Sequence, residues 1–90
     1  MLTVTEAAGA HLAQLLSEHN AADDVAIRFI LVGQNLSPKL DNVRPDDATF
    51  DHEGRTVLVL DEQLSERLAD RTLDTKESSD GLRLSIRHER

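Results

Sequence analysis

The stretch that decides the fold is Thr49–Asp74, which reads TFDHEGRTVLVLDEQLSERLADRTLD. Within it, Val57–Leu60 is an uninterrupted apolar run with two β-branched residues, which predicts a buried strand. Asp61 follows directly and predicts the start of a helix, because an Asp carboxylate accepts a backbone N–H of the first helical turn. Upstream, Asp51–Gly54 has the composition of a turn. The stretch therefore predicts a hairpin, a buried strand, a short helix and a further strand.

The amino-terminal part predicts a short strand and an amphipathic helix. Leu2–Val4 is the strand candidate, and Thr5 is a suitable N-cap for a helix over Glu6–Glu18. One face of this helix carries apolar residues at helical spacing, namely Ala8, Leu12, Leu15 and Leu16. His11 and His19 flank the stripe and are candidate ligands, although the pattern favours solvated surface histidines.

The middle of the chain contains the longest strand candidate, Val25–Val32, which is apolar at seven of its eight positions. A strand of this kind has both faces at least partly covered, so we expect it to be central. Gly33 ends it. Gln34–Lys39 is predicted as a polar loop with Pro38 as a breaker, and Leu40–Val43 as a weak strand.

The carboxyl-terminal part predicts a hairpin. Thr72–Glu77 and Leu82–Arg87 alternate between apolar and polar residues, and Ser78–Gly81 is a turn of Asp-Gly type. Residues 1–87 are therefore expected to form a single domain, with residues 88–90 as a frayed end.

The predicted fold class is α+β, with a small mixed or antiparallel β-sheet and two helices packed on one face. The core is expected to be aliphatic, because the chain has only two aromatic residues. Its predicted members are Leu12, Leu15, Leu16, Ile27, Phe29, Val57, Val59, Leu64, Leu68, Leu84 and Ile86.

Composition excludes several classes of function. Ten Lys and Arg residues against 17 Asp and Glu residues give a net charge of −7, which argues against nucleic acid or an anionic membrane as a partner. The absence of cysteine excludes disulfides, thiolate nucleophiles and cysteine metal ligands. No apolar run approaches the roughly 20 residues of a membrane span, and the amino terminus lacks a secretory pattern, so we expect a cytoplasmic protein.

An acidic segment is a candidate metal site. It contains Asp41, Asp46, Asp47, Asp51 and Glu53, with His52 beside them and Arg44 as the opposing charge. Such carboxylates could hold a hard cation such as magnesium, calcium or iron. The spacing fits no EF-hand loop, however, and Pro45-Asp46-Asp47 suits a turn equally well, so we favour a solvated acidic loop.

The sequence predicts no catalytic site. Ser37 lacks the Gly-x-Ser-x-Gly context of a nucleophilic serine, and there is no Gly-rich phosphate-binding loop. We therefore assign no catalytic, cofactor-binding or metal-binding residues and no cofactor.

Three segments together carry a resemblance to a known family. They are LTVTEAAGAHLAQLL (residues 2–16), IRFILVG (residues 27–33) and DDATFDHEGRTVLVLDEQLSERLADRTLD (residues 46–74). In order and spacing they are similar to the HesB/IscA family of A-type iron–sulfur cluster carriers, over about Leu2–Ile86. The resemblance implies the fold of that family, a context in iron–sulfur assembly, and dimers or higher oligomers.

The sequence departs from the family at the cluster site. Family carriers place one cysteine in a Gly-Gly-Cys-Ser-Gly loop after the central strand and two more in a Cys-Gly-Cys tail. Here Gly33–Ser37 stands at the loop position and no cysteine occurs anywhere. None of the family's ligand residues can therefore be carried over to this chain.

Two hypotheses follow from the departure. The first is a non-catalytic binding or adaptor module with a protein partner, related to iron–sulfur assembly but without cysteine ligands. The alternative is a metal- or small-ligand-binding protein that uses carboxylate and histidine ligands.

Self-association is also expected, because Val25–Val32 is apolar on both faces and two short helices cover only one face. Ala26, Ile30 and Val32 would then face solvent or a second copy. The alternative is that the loop over Gln34–Val43 folds across that face.

Overall fold

The computed structural model describes residues 2–33, 35–79 and 81–88. It contains seven strands and two helices in these ranges. Their bounds are β1 (Thr3–Val4), α1 (Glu6–Glu18), β2 (Val25–Val32), β3 (Asn35–Asn42), β4 (Ala48–His52), β5 (Arg55–Leu60), α2 (Glu62–Arg67), β6 (Arg71–Ser78) and β7 (Gly81–His88). Neither helix is long and apolar enough to cross a membrane.

The strands divide between two small sheets. One has four strands in the order β3-β2-β5-β4, and the other has three in the order β1-β6-β7. The β2–β5 and β1–β6 pairs are parallel and the other neighbours are antiparallel, so both sheets are mixed. The α+β class with two helices is thus confirmed, and β2 is central to its sheet as predicted. Two sheets stand where the sequence predicted one.

Both helices begin at the predicted caps. The Thr5 hydroxyl accepts a hydrogen bond from the Ala8 backbone N–H at 3.1 Å, and the Asp61 carboxylate accepts one from the Leu64 N–H at 2.8 Å. These bonds satisfy donors that the first helical turn leaves without an intrahelical partner. The predicted bounds of α1 are confirmed, and the Thr5 cap explains why the helix begins at Glu6.

The start of α1 is also tied to the three-stranded sheet. The Thr5 N–H donates to the Leu73 carbonyl at 3.0 Å, and the Thr5 hydroxyl donates to Asp74 Oδ1 at 2.8 Å. Hydrogen bonds from the Thr75 N–H and from Thr5, together with the Arg87 guanidinium, lower the pKa of Asp74. The chain therefore enters α1 from a fixed point on β6.

Gly9 brings α1 close to β4. A Cβ atom at this position would lie 3.0 Å from Nδ1 of His52. Glycine inside a helix costs about 0.5–1 kcal/mol relative to alanine, and here the close approach of the two elements explains it.

The core fills the space beneath α1 and α2 and is aliphatic except for Phe29. Val57–Leu60 have no exposed surface, because β5 is an interior strand. Of the predicted core residues, Leu15, Leu84 and Ile86 are only half-buried, and they pack against the edge of the core. The buried hydrophobic residues absent from the predicted core list are Leu2, Ala8, Ala26, Leu58, Leu60 and Leu73, although Leu58 and Leu60 belong to the strand that was predicted to be buried.

The predicted polar loop is wrong for residues 35–39, while Gln34 lies outside the described residues. The weak strand predicted over Leu40–Val43 is confirmed for residues 40–42. Asn35–Asn42 forms β3, which pairs with β2 along its whole length, from Val32 opposite Asn35 to Val25 opposite Asn42. Pro38 fits because β3 is an edge strand, where a residue without an N–H can face away from its neighbour. Because Val32 is paired with Asn35, only two residues link β2 to β3, and the first of them, Gly33, has a φ of 63°.

The carboxyl-terminal hairpin is confirmed as β6 paired with β7. The turn predicted over Ser78–Gly81 includes Asp80, which lies outside the described residues. The end predicted to fray at residue 88 is part of β7 at His88, and residues 89 and 90 lie outside the described ranges.

Candidate functional site

A cleft of about 740 Å³ opens among residues contributed by both helices and by strands of both sheets. Ten of the fourteen residues that line it are apolar. Leu15 comes from α1, Phe29 and Leu31 from β2, and Leu36 and Pro38 from β3. Because several of these side chains belong to the edge of the core, the cleft is a continuation of the core toward the surface.

The remaining lining residues are all basic. They are His11 of α1, Arg67 of α2, Arg71 of β6 and Arg83 of β7. No Asp or Glu of the described residues lines the cleft, although the whole chain has 17 of them.

The arginines of the cleft differ in how they are held. The Nε atom of Arg71 lies 3.4 Å from Oδ1 of Asp70, without a hydrogen bond. Within the described ranges, the guanidinium groups of Arg67 and Arg83 have neither a hydrogen bond nor an ion pair. Two cationic groups are therefore available at an apolar cleft.

The second polar feature is a buried arginine on β2. The side chain of Arg28 is 5% exposed, and its Nε–H donates to Oδ2 of Asp41 at 2.9 Å. Its two terminal nitrogens donate to the two carboxylate oxygens of Asp47, with 3.0 Å from Nη1 to Oδ1, and Nη2 also donates to the Asn42 carbonyl at 3.2 Å. Arg28 thereby joins β2 to β3 and to the segment that leads into β4.

This arrangement shifts the ionisation of all three groups. The hydrogen bond from Arg28 lowers the pKa of Asp47, and a hydrogen bond from the Asn42 N–H, followed by that from Arg28, lowers the pKa of Asp41. The hydrogen bond to Asp47 raises the pKa of Arg28. The cluster is charged and fully paired, which is the pattern of a structural ion pair.

The acidic segment does not form the hypothesised metal site. Asp41 and Asp47 are bound to Arg28, and Asp51 accepts a hydrogen bond from the Thr56 hydroxyl at 2.8 Å. Asp46 and Glu53 are exposed. No group of three or more His, Asp or Glu residues that could hold a metal ion occurs in the part of the chain that the structure describes.

The candidate histidines lie apart. His11 lines the cleft, whereas His19 is exposed at the carboxyl end of α1. His52 is partly buried beside α1, with Nε2 3.9 Å from Oε2 of Glu53. The structure brings no two of them into one site.

A third feature is the hairpin tip, which we define as Ile30, Leu31 and Val32 at the end of β2. Their exposed fractions are 36%, 46% and 57%, while the preceding four residues of the strand are buried. The expectation that Ile30 and Val32 face solvent is confirmed, but Ala26 is buried. The face of β2 that contains Ala26 also contains Arg28, which is bound to Asp47 in the segment before β4. β3 pairs with β2 side by side and does not fold across this face.

Solved structures share this fold. Escherichia coli SufA, which is involved in the biosynthesis of iron–sulfur clusters, matches with a TM-score of 0.70 and 24% identity, over 97% of this chain and 84% of that chain. IscA with a [2Fe-2S] cluster matches with a TM-score of 0.63 and 20% identity, over 98% and 85%. A protein from Aquifex aeolicus matches with a TM-score of 0.66 and 20% identity, over 97% and 90%.

These likenesses confirm, at the level of the fold, the resemblance to the HesB/IscA family. No protein-family model matches the sequence, and no curated protein is significantly similar to it.

The residues of this chain do not fit an iron–sulfur cluster of the kind named for IscA. Clusters are held by cysteine thiolates, and even the histidine-assisted Rieske type retains two of them. This sequence has no cysteine, and only two residues link β2 to β3 at the position where the family carriers have a cysteine loop.

Sequence reasoning missed two of the three features. The cleft is assembled from six elements. Six of its apolar residues had been predicted only as core, and His11 only as an isolated candidate ligand, so the sequence did not indicate a cleft. Arg28 had one signal, a single charge within an apolar strand, with Asp41 and Asp47 downstream as unassigned carboxylates.

Proposed function

We propose that this protein is a non-catalytic binding module that keeps the scaffold of the iron–sulfur carriers and binds a protein partner through the hairpin tip. The observation that carries the proposal is the run of three exposed apolar residues, Ile30, Leu31 and Val32, at the end of an otherwise buried strand. Exposed apolar surface is costly in water, and where it is contiguous it marks interaction sites.

The structure around the tip favours contact through side chains. β3 is an edge strand and could in principle pair with a strand of another protein. Pro38 and Lys39 lie in its middle, however, and both residue types protect edges from such pairing. We therefore assign recognition to the apolar side chains of the tip and not to the backbone of the edge.

The partner that we propose is a component of iron–sulfur cluster assembly. The support is the shared fold of SufA and IscA over nearly the whole chain, with no cluster ligands present. A net charge of −7 disfavours nucleic acid and anionic membranes as partners. A cytoplasmic location and self-association belong to the same proposal.

Affinity capture from the native host with three baits tests this function. The first bait is the wild type, the second is Ile30→Ser/Val32→Ser, and the third is Leu82→Ser, which removes an exposed leucine (53% exposed) from the other sheet. We expect the wild type and Leu82→Ser to retain the same proteins, and Ile30→Ser/Val32→Ser to lose them. The reason is that only the double variant makes the tip polar.

Ile30 and Val32 do not line the cleft, so the double variant leaves that feature intact. Equal recovery of the same proteins on all three baits would remove the tip from the proposal. Recovery of no specific protein by the wild type would contradict the binding function itself.

A further inference from the structure

We propose that the cleft binds a single-chain amphipathic anion of the fatty carboxylate class. The aliphatic chain lies among the leucines of the cleft, and the carboxylate pairs with the guanidinium groups of Arg67 and Arg83. This site shares Leu31 with the hairpin tip, but it uses neither Ile30 nor Val32, so the two binding functions can be tested independently.

The first step is the shape and polarity of the cleft. Its volume of about 740 Å³ lies within the usual range of small-molecule sites, and ten of its fourteen lining residues are apolar. Half-buried Leu15, Leu36 and Leu84 form part of its wall. Each methylene that such a wall removes from water strengthens binding roughly fourfold, so an unbranched chain gains affinity with its length.

The second step is charge. The chain has 17 acidic residues against ten Lys and Arg, yet the described lining of the cleft contains three arginines, one histidine and no carboxylate. Arg67 and Arg83 have no partner among the described residues. A guanidinium group donates two parallel hydrogen bonds to a carboxylate, which selects an anion over a neutral or cationic ligand of the same length.

The third step distinguishes a small ligand from larger occupants. A volume of about 740 Å³ accommodates one small molecule. Residues of six different elements line the cleft, so a ligand can contact several walls at once. Charge and volume together favour a free fatty carboxylate.

The test is calorimetric titration with dodecanoate, kept below its micelle concentration, and with dodecan-1-ol as the uncharged match. We expect the wild type to bind one dodecanoate, and to bind the alcohol at least about tenfold more weakly. Arg67→Gln/Arg83→Gln should weaken dodecanoate binding at least about tenfold without changing the binding of the alcohol. Lys39→Gln/Lys76→Gln removes the same charge outside the cleft and should change either affinity less than about twofold.

A second variant tests whether the aliphatic chain of the ligand lies in the cleft. Leu84→Trp fills the cleft and should abolish binding of both ligands, with circular dichroism confirming the fold. Leu36→Trp, on β3, serves the same purpose if Leu84→Trp does not fold.

Three results would overturn the proposal. They are no dodecanoate binding by the wild type, equal binding of dodecanoate and the alcohol, and unchanged dodecanoate binding by Arg67→Gln/Arg83→Gln. Dimerisation that Leu84→Trp abolishes, without dodecanoate binding by the wild type, would instead assign the cleft to a second copy.

Discussion

Arg28 connects the local sequence to the tertiary structure at the scale of single residues. It is the one charged residue in an eight-residue apolar strand, and burial of its guanidinium would be strongly unfavourable without partners. Its partners, Asp41 and Asp47, lie 13 and 19 residues further along the chain. No local pattern encodes such a separation, so the sequence could show the charge and the two carboxylates but not their pairing.

Replacing Arg28 tests the structural importance of this cluster. Arg28→Met keeps much of the aliphatic stem but leaves the buried Asp47 carboxylate without its bidentate partner. We expect a loss of about 3–5 kcal/mol in the free energy of unfolding. Arg44→Ala is the matched control, because Arg44 pairs with Asp41 at the surface, and it should cost less than about 1 kcal/mol. Urea denaturation measures both, and equal losses would contradict the structural role of Arg28.

The same cluster predicts a dependence of stability on pH. Because the pKa of Asp47 is lower in the folded protein than in the unfolded chain, the unfolded chain takes up its proton first as the pH falls. The stabilisation is therefore complete above the ordinary Asp pKa of about 4 and is lost as the pH falls below it. The difference in unfolding free energy between wild type and Asp47→Asn should shrink between about pH 7 and about pH 3. A constant difference across this range would be the contrary result.

The two helices and β3 show, at the scale of elements, what a sequence can and cannot determine. Caps act over three residues, so Thr5 and Asp61 were sufficient to place the starts of α1 and α2. The first part of β3, residues 35–39, was predicted as a loop because Pro38 and its polar neighbours are typical of loops. An edge strand tolerates both, and β2 supplies hydrogen-bond partners along the whole of β3. The structure of β3 is therefore determined by its position at the edge of the sheet and not by the strand propensity of its residues.

The short helix α2 depends on its buried leucines. It has only six residues, too few to be stable by its own hydrogen bonds, so its packing must stabilise it. Leu64 is 6% exposed and belongs to the core, so Leu64→Ala should lower the unfolding free energy by about 2–5 kcal/mol. Leu82→Ala, at an exposed leucine, should change it by about 0.5 kcal/mol or less. Thermal unfolding measures both variants. If Leu64→Ala is no less stable than Leu82→Ala, the packing of α2 does not contribute to stability as proposed.

The exposed hairpin tip bears on association at the scale of the whole molecule. The apolar strand β2 correctly indicated that Ile30 and Val32 would be exposed, whereas the burial of Ala26 on the same strand could not be foreseen. We expect light scattering across a dilution series to show self-association that Ile30→Ser/Val32→Ser weakens. The physical reason is that a second copy removes the tip from water. If the protein is a monomer at every concentration, self-association is contradicted and the tip would bind a different protein instead.

The claim that this scaffold functions without its own cluster is tested most directly by anaerobic reconstitution with iron and sulfide, followed by gel filtration. The chain has the fold of SufA and IscA but no thiolate, so we expect the protein fraction to contain neither iron nor acid-labile sulfide and to lack sulfide-to-iron absorption in the visible range. A stoichiometric cluster that remains with the protein through gel filtration would contradict the account, and it would direct attention to the four histidines and the carboxylates as ligands.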